Sequence, residues 1–262
     1  MHKWNAQDYQ KNSGIQLKWG RELIDKLKLQ GNEHVLDIGC GDGKITAEIA
    51  AIVSKGKATG TDNSSDMIAV ACRTFPTCDY TNLDFLQMDM RELSFESAYD
   101  VVFSNAALHW VSDHRSVLSG ISRCLKKGGR ILLQMGGRGN VAGMLSVVTA
   151  MTQQPRWAGY FEDFTNPYSF YGPEEYRKWL PEAGLKPLRV DLLSKDLAQQ
   201  GRDGLTAWFR TTWHPYFHRV PDDTQQAFID EAVTTYISTH PADAGGMVHI
   251  AAVRLEVEAE KA

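Results

Sequence analysis

Short apolar runs of strand length alternate with segments of helical spacing through the first half of the chain. Val35, Leu36 and Ile38 form one such run, and the apolar residues of 45–50 follow it with the spacing of a helix. Further strand-like runs lie at residues 57–61, 85–90, 99–105 and 125–133. Residues 17–29 have helical spacing and predict a helix before the first strand. This alternation predicts an α/β fold built around a parallel sheet.

Three glycines spaced two apart, Gly39, Gly41 and Gly43, follow the first strand-like run directly. Glycine permits the tight turn and close approach that a nucleotide cofactor needs where a strand leads into a helix. The dinucleotide fingerprint is Gly-x-Gly-x-x-Gly, so the spacing here departs from it. Cys40, inside the turn, is expected to be a small packed residue.

Asp37 immediately precedes this turn, and its charge bears on the cofactor class. A carboxylate there repels a pyrophosphate and attracts a cation, by about 4 kcal/mol at roughly 4 Å in an effective dielectric of about 20. S-adenosylmethionine, with its sulfonium and ammonium groups, fits this charge better than a nicotinamide dinucleotide does. The alternative is that Asp37 only caps the turn or the next helix.

Two further acids end strand-like runs. Asp62 is placed to accept from ribose hydroxyls, a role that dinucleotide sites share, so it does not separate the two cofactors. Asp89 is placed to accept from an adenine amino group, with Met88 or Met90 packed on the ring. Any one acid in such a loop is more often a turn residue. Three at successive strand ends together favour a cofactor site.

Composition limits the partners of this chain. Its 262 residues carry a net charge of -4 and have a sequence pI of about 6.1, which gives no electrostatic reason to expect nucleic acid or an acidic membrane. The four cysteines form no Cys-x-x-Cys pair, so we expect no metal and a reducing interior. No run reaches the roughly 18 apolar residues of a membrane span, and the start has no signal-peptide pattern. We therefore predict a cytoplasmic protein.

These motifs resemble the class I S-adenosylmethionine-dependent methyltransferases over about residues 33–135. Residues 35–46 resemble the glycine motif of that family, and Asp62 matches its second-strand acid. Residues 99–111 resemble its fourth strand and following loop, which implies that Asn105 lies beside the cofactor. The residues that we predict to bind S-adenosylmethionine are Asp37, Gly39, Cys40, Gly41, Gly43, Asp62, Asn63, Met67, Asp89, Met90 and Asn105.

The resemblance implies a doubly wound, Rossmann-like sheet of seven strands that is mostly parallel, with an antiparallel last strand. Aromatic residues are dense between residues 136 and 221, which predicts a helical cap inserted after the fifth strand. The last strands are predicted at 188–193 and 248–257, with a helix at 228–239. The predicted domains are a cofactor-binding core with an N-terminal substrate-gating segment (1–135), a cap (136–221) and a C-terminal helix and strand that complete the core (222–262).

Weaker signals concern the methyl acceptor. Trp4, Tyr9, Gln16 and the segment from Leu108 to Val111 look like the subgroup that methylates small carboxylic acids, such as trans-aconitate and juvenile hormone acid. The segment 208–216 is also similar to the trans-aconitate group. It departs from that group at His214, where a basic residue is expected, and at Thr211, where a glycine is usual. These departures leave the aconitate substrate itself open.

A carboxylate acceptor is already ionised and needs only orientation, whereas a hydroxyl, amine or carbon acceptor needs a general base. We expect Gln16, Trp110 and Arg210 to orient a carboxylate, and Tyr9 to lie near the methyl group. His109 or His214 is the candidate base for the other acceptors, although His109 is more often a half-buried structural residue. The predicted catalytic residues are Tyr9, Gln16, His109 and Trp110, and the predicted substrate-binding residues are Trp4, Arg210 and His214.

Two other classes of protein stay open at this point. One is a non-catalytic module that binds the cofactor on a methyltransferase-like fold, because a fold does not fix a function. The other, disfavoured by Asp37 and the glycine spacing, is a nicotinamide-dependent oxidoreductase. The first would bind S-adenosylmethionine without forming S-adenosylhomocysteine, and the second would bind a dinucleotide.

Overall fold

A computed structural model describes residues 14–262, with side chains from residue 17 onward. Trp4, Tyr9 and the side chain of Gln16, all predicted above as acceptor-site residues, lie outside this described part. The strands are β1 (His34–Ile38), β2 (Lys57–Asp62), β3 (Leu83–Gln87), β4 (Tyr99–Asn105), β5 (Leu125–Gly136), β6 (Leu185–Gln200) and β7 (Met247–Lys261).

Helices follow most of the strands along the chain. They are α1 (Gly14–Leu27), α2 (Lys44–Ile52), α3 (Ser65–Thr74), α4 (His114–Cys124), α5 (Ala142–Thr152), α6 (Pro173–Glu182), α7 (Gly201–Thr212), α8 (His214–Phe217) and α9 (Asp222–Thr239). Single 3-10 turns lie at Met90–Glu92, Leu108–Trp110 and Ala158–Tyr160. Side-chain caps fix some of the starts: Ser64 accepts from the backbone N–H of Met67 at α3, and Asp113 accepts from that of Ser116 at α4.

The sheet has seven strands in the order β3-β2-β1-β4-β5-β7-β6. Strands β1 to β5 pair in parallel, and β7 runs antiparallel to both β5 and β6. The strand order reverses between β1 and β4, which opens a crevice at the carboxyl ends of these strands. The predicted doubly wound, mostly parallel sheet with an antiparallel last strand is confirmed.

The last two strands are longer than the sequence predicted. Instead of residues 188–193 and 248–257, β6 and β7 pair continuously from Leu185 opposite Lys261 to Gln200 opposite Met247. Polar residues interrupt the apolar pattern of β6 because alternate side chains along it face solvent. The end of this strand pair near Gln200 and Met247 extends beyond the rest of the sheet and supports the cap.

Three apolar clusters show how the layers pack. Helices α1 and α2 cover one face of the sheet through Leu23, Ile49 and their neighbours, and α4 and α6 cover the other. The third cluster is the cap, whose aromatic residues include Trp157, Trp213 and Phe228 and rest on the far end of β6 and β7. Helices thus lie on both faces of the sheet, as the prediction of a doubly wound fold requires.

The cap is assembled from two parts of the chain that β6 separates. Helix α5 and the segment after it contribute the first part, and α7, α8 and α9 contribute the second. Helix α6, inside the range 136–221, packs on the sheet, whereas α9, beyond residue 221, packs in the aromatic cluster. The domain ranges stay a prediction, and this packing favours counting α9 with the cap.

Candidate cofactor and acceptor site

A cavity of about 1110 Å³, as bounded by the described residues, lies at the carboxyl ends of β1, β2 and β4 and beneath the cap. Its two halves differ in chemistry. The half over β1 to β3, named here the cofactor half, is lined by Gly39, Gly41, Asp62, Asn63, Met67, Met88, Asp89 and Met90. The half toward β5, β7 and the cap, named here the acceptor half, is lined by His109, Trp110, Tyr168, Phe170, Trp208 and Arg254. Asn105, at the end of β4, lies between them.

The glycine turn is shaped by contacts on both of its sides. Gly39 has a φ of 74°, and a Cβ there would lie 2.2 Å from the Cβ of Ala107 in the loop after β4. Gly43 has a φ of 81°, and a Cβ there would lie 2.5 Å from the ring of Phe85. Gly39 therefore lets β1 and the loop after β4 meet at the cavity, while Gly43 lets α2 start close to β3.

Asp62 joins the glycine turn to the start of α3. Its Oδ2 accepts from the backbone N–H of Gly41 at 3.0 Å, and its Oδ1 accepts from that of Ser64 at 2.8 Å. Burial raises the pKa of this carboxyl, and the two backbone hydrogen bonds oppose that rise. Each oxygen keeps a further lone pair, so the carboxylate can also accept from a pair of ribose hydroxyls.

Asp37, Cys40 and Gly43, all predicted to bind the cofactor, do not line the cavity. Asp37 is buried beneath the turn, where its Oδ2 accepts from the hydroxyl of Thr46 on α2 at 2.6 Å. Burial raises the pKa of Asp37 to about 7. The Cys40 side chain packs behind the turn against Gly60, and its thiol pKa is raised by burial. The structure thus gives Asp37 the alternative role named above, a support of the turn and the next helix.

Asp89 lines the cavity as predicted but is already engaged. The guanidinium of Arg91 donates to its Oδ1 at 2.9 Å and to its Oδ2 at 2.5 Å, which lowers the pKa of the carboxyl. Arg91 is the basic side chain lining the cofactor half among residues 17–262, and this pair neutralises it. A pyrophosphate would therefore face the carboxylate of Asp62 with no free cation, whereas hydroxyl donors and a positively charged ligand fit. Met67, Met88 and Met90 supply polarisable contacts for a flat ring.

Trp110 and His109 lie on the 3-10 turn after β4 and line the acceptor half. The Trp110 ring packs 5.0 Å from the ring of Tyr168 and 5.6 Å from that of His214. The Nδ1 of His109 accepts from the backbone N–H of Gly136 at 3.3 Å. Burial, and after it the charge of Arg254, hold the pKa of His109 well below its usual range.

Arg254 is the acceptor-site residue that the sequence reasoning missed. Its side chain lines the cavity although only 5% of the residue is exposed, and its guanidinium lies 5.2 Å from the ring of Trp19. Its Nε and Nη2 are buried, and neither donates a hydrogen bond to any residue between 17 and 262. Burial lowers the pKa to about 10, so the group stays protonated at neutral pH.

A signal for Arg254 was present in the sequence. Along β7 the buried residues Val248, Ile250 and Ala252 recur with the two-residue period of a strand, and Arg254 is in phase with them. A basic residue in phase with buried apolar positions is a candidate buried cation. Nothing in the sequence indicated that residue 254, in the middle of this strand, would lie beside the cavity.

The structure does not bring Arg210 or His214 to the cavity lining. Arg210 lies on the exposed face of α7, where it donates to the side chain of Gln226. His214 is buried at the start of α8, behind the ring of Trp110. Arg210 follows Trp208 by two positions and therefore points away from the face of α7 that lines the cavity. The predicted roles of Arg210 and His214 in substrate binding thus lack support from the geometry.

Two negative findings concern the described residues alone. From residue 17 onward, no three His, Cys, Asp or Glu side chains are grouped so that they could hold a metal ion. The helices of residues 14–262 also include none with the length and apolar character needed to cross a bilayer.

Fold and site together define an α/β protein with a nucleoside-cofactor crevice suited to a positively charged ligand. A family model described as a methyltransferase domain matches residues 35–129. An uncharacterized methyltransferase, C70.08c of Schizosaccharomyces pombe, is 31% identical over 228 residues, which cover 83% of each chain. The trans-aconitate 2-methyltransferase of Shigella dysenteriae is 26% identical over 264 residues, with 100% of this chain and 99% of that one covered.

The fold is also similar to that of a phosphoethanolamine N-methyltransferase of Haemonchus contortus, solved with phosphomonomethylethanolamine and S-adenosylhomocysteine. That similarity has a TM-score of 0.59 at 20% sequence identity, and it covers 93% of this chain and 52% of the other. The chain belongs to the class I methyltransferases that use S-adenosylmethionine. The predicted family, enzyme class and cofactor are therefore confirmed.

Proposed function

We propose that this methyltransferase transfers the methyl group of S-adenosylmethionine to a carboxylate of a small organic acid. The observation that carries the proposal is the buried guanidinium of Arg254 in the acceptor half of the cavity. Leaving a buried charge uncompensated is costly, and a ligand anion is the natural compensation. A carboxylate can take two parallel hydrogen bonds from Nε and Nη2, which are the two nitrogens that no described residue accepts from.

The position of Arg254 suits an acceptor and not the cofactor. In the sheet it lies on β7 opposite Gly136, at the carboxyl end of β5, and β7 is three strands away from β1, which the glycine turn follows. His109 lies beside Gly136, and the loop that carries it follows Asn105. An acid bound to Arg254 would therefore approach the cofactor half from the side of the cap.

S-adenosylmethionine, when bound, supplies an electrophilic methyl group for an in-line displacement. The residues of this chain have to hold the acceptor in line and exclude water. A carboxyl group with an ordinary pKa of about 4 to 5 is ionised at neutral pH, so no residue has to remove a proton. The rings of Trp110, Tyr168 and Phe170 form an aromatic wall of the acceptor half. The ester product is neutral and loses its attraction to Arg254, which favours its release.

The same geometry narrows the class of acid. Among the described residues that line the cavity, Arg254 and Arg91 are the permanently charged bases, and Arg91 is paired with Asp89. A tricarboxylate would bring three negative charges to one compensating cation. The aromatic wall favours an acid with an apolar or unsaturated body. Similarity to trans-aconitate methyltransferases supports an organic acid as the substrate class. Arg254, as the cation without a carboxylate partner among the described lining residues, favours fewer carboxylates than aconitate has.

Kinetics of Arg254 variants test the proposal. With S-adenosylmethionine saturating and a panel that includes trans-aconitate, fumarate and cinnamate, we expect Arg254→Gln to raise KM for the preferred acid about 10- to 100-fold, since a charged hydrogen bond contributes about 1.5–3 kcal/mol. Arg254→Lys should recover part of the loss. Arg202→Gln, on the exposed face of α7, is the matched control. An unchanged KM in Arg254→Gln would show that Arg254 does not bind the carboxylate of the acceptor.

A further inference from the structure

The protonation state of the His109 ring is fixed by a backbone contact. The N–H of Gly136 donates to Nδ1 at 3.3 Å, so the lone pair of that nitrogen is occupied. A neutral imidazole carries its proton on the other nitrogen, and here that nitrogen is Nε2. No hydrogen-bond partner of Nε2 occurs between residues 17 and 262, and the ring lines the acceptor half. His109 therefore offers an N–H donor to the cavity.

The surroundings of His109 keep the ring neutral. Arg254 faces it from β7, His114 lies near it on α4, and the rings of Tyr168 and Phe170 lie 6.5 and 6.0 Å from it. Burial disfavours a charged imidazole, and the positive charge of Arg254 disfavours it further, so the pKa of His109 lies well below its usual range. Close to neutral pH the ring keeps its proton on Nε2. It has no free lone pair to accept a second proton, because the lone pair of Nδ1 accepts from the N–H of Gly136.

We propose that His109 is a fixed hydrogen-bond donor that binds, together with Arg254, the carboxylate of the acceptor. This inference rests on the function proposed above and deepens it. It also replaces the role of general base that the sequence suggested for His109. A hydroxyl or ammonium acceptor would find no base at this position, so the pair of donors selects a group that arrives already deprotonated.

The tautomer can be measured on the full chain without knowledge of the substrate. Nitrogen-15 shifts of histidine-labelled protein distinguish a proton on Nε2 from one on Nδ1, and the spectrum of His109→Gln assigns the signal. We expect a neutral Nε2–H ring between about pH 6 and 9. A proton on Nδ1, or a ring that becomes charged in that range, would overturn the inference.

A carboxylate probe tests whether the donor and Arg254 act on one anion. Acetate added to the protein saturated with S-adenosylhomocysteine should shift the His109 Nε2–H signal, with sodium chloride at equal ionic strength as the control. The shift should be lost in Arg254→Gln. An acetate effect no larger than that of chloride, or one that persists in Arg254→Gln, would contradict a shared site.

Turnover of the preferred acid separates a donor from a base. His109→Gln keeps an amide donor and an acceptor for Gly136, so its kcat/KM should stay within about threefold of the wild type, with a flat pH profile. His109→Phe keeps a ring but removes the donor, and KM should rise about tenfold or more with an unchanged Kd for S-adenosylmethionine. A general base would instead lose about 10²- to 10⁴-fold in kcat in both variants.

The results of these experiments distinguish a failure of the donor role of His109 from a failure of the proposed function. If no acid is methylated but the tautomer and the acetate shift are as expected, the anion site stands and the methyl acceptor is wrong. If acids are methylated but His109→Gln loses kcat, the donor role is wrong and carboxylate methylation stands.

Discussion

Asp37 shows how a single buried carboxyl can be held at the edge of ionisation. It lies beneath the glycine turn, accepts from Thr46, and has a pKa that burial raises to about 7. The nearby charge of Asp62 contributes to the rise. Because the folded state favours the protonated form, it binds more protons than the unfolded chain does between about pH 4 and pH 7.

Asp37→Asn tests this reading of the turn. The free energy of unfolding of the wild type should fall through Asp37 as pH rises from about 4 to 7, and the loss should be complete above pH 7, because the folded pKa lies above the unfolded one. The amide keeps an acceptor for Thr46 and does not ionise. In urea denaturation, the stability of the variant relative to wild type should increase from pH 5 to pH 8, by up to about 3 kcal/mol.

The control for this prediction is Asp79→Asn on the exposed surface, which should leave the pH dependence unchanged. A constant difference between Asp37→Asn and the wild type across pH 5 to 8 would show that Asp37 ionises normally in the folded protein. Its role in the turn would then be that of an ordinary charged cap.

Several site residues could be predicted because they lie at the ends of successive strands, which the sequence pattern locates. Gly39, Asp62 and Asn105 stand at the ends of strands whose parallel order the alternating pattern already implies, and all three line the cavity. Arg254 could not be placed in this way, since it reaches the cavity only through the pairing of β7 with β5. Arg210 was predicted to bind the substrate because of its charge. It lies instead on the exposed face of its helix, where it donates to Gln226.

At the scale of elements, Glu256 of β7 joins parts of the chain that are far apart in sequence. Its side chain is fully buried and accepts from Lys26 of α1 at 2.7 Å, from Gln134 of β5 at 2.9 Å and from Arg189 of β6. Burial would raise the pKa of Glu256, but these donors together lower it below the usual value. The contact fixes α1, which carries Trp19 toward the cavity, against the sheet.

Glu256→Gln should lower the free energy of unfolding by about 1–3 kcal/mol at neutral pH, because it leaves two partly exposed cations without their shared carboxylate. Since the folded pKa is depressed, the difference from wild type should shrink as pH falls through the pKa of the folded state. Urea denaturation measures it. Glu258→Gln is the matched control, because Glu258 pairs with the same Arg189 but is one-third exposed. Equal effects in both variants would contradict a special role for burial at Glu256.

The same strands show where prediction from sequence stopped at the element scale. The first five strands could be located because glycines and acids mark their ends, whereas β6 carries exposed polar residues at alternate positions and β7 is buried along most of its length. Their extended antiparallel pairing is set by long-range register and not by a local pattern. The aromatic composition of the cap was clear in the sequence, but its assembly from two segments depends on how β6 separates them.

At the scale of the whole molecule, two chemically different surfaces meet in one cavity. The sheet supplies the glycine turn and the carboxylate of Asp62, and the cap supplies an aromatic wall that includes Tyr168 and Trp208. Arg254, from the strand that supports the cap, places a cation between these surfaces. A cofactor with a positive charge and an acceptor with a negative charge would each find a complementary half, and transfer would neutralise both.

The measurement that tests this account most directly is the identity of the methylated product. Protein incubated with S-adenosylmethionine carrying a carbon-13 methyl group and a panel of small carboxylic acids should yield a labelled methyl ester, with S-adenosylhomocysteine formed in equal amount. Mild alkali should release the label as methanol, because an ester is hydrolysed where an ether, a methylamine or a carbon–carbon bond is not. A labelled product that survives alkali, or cofactor binding with no S-adenosylhomocysteine formed from any acid of the panel, would contradict carboxylate methylation.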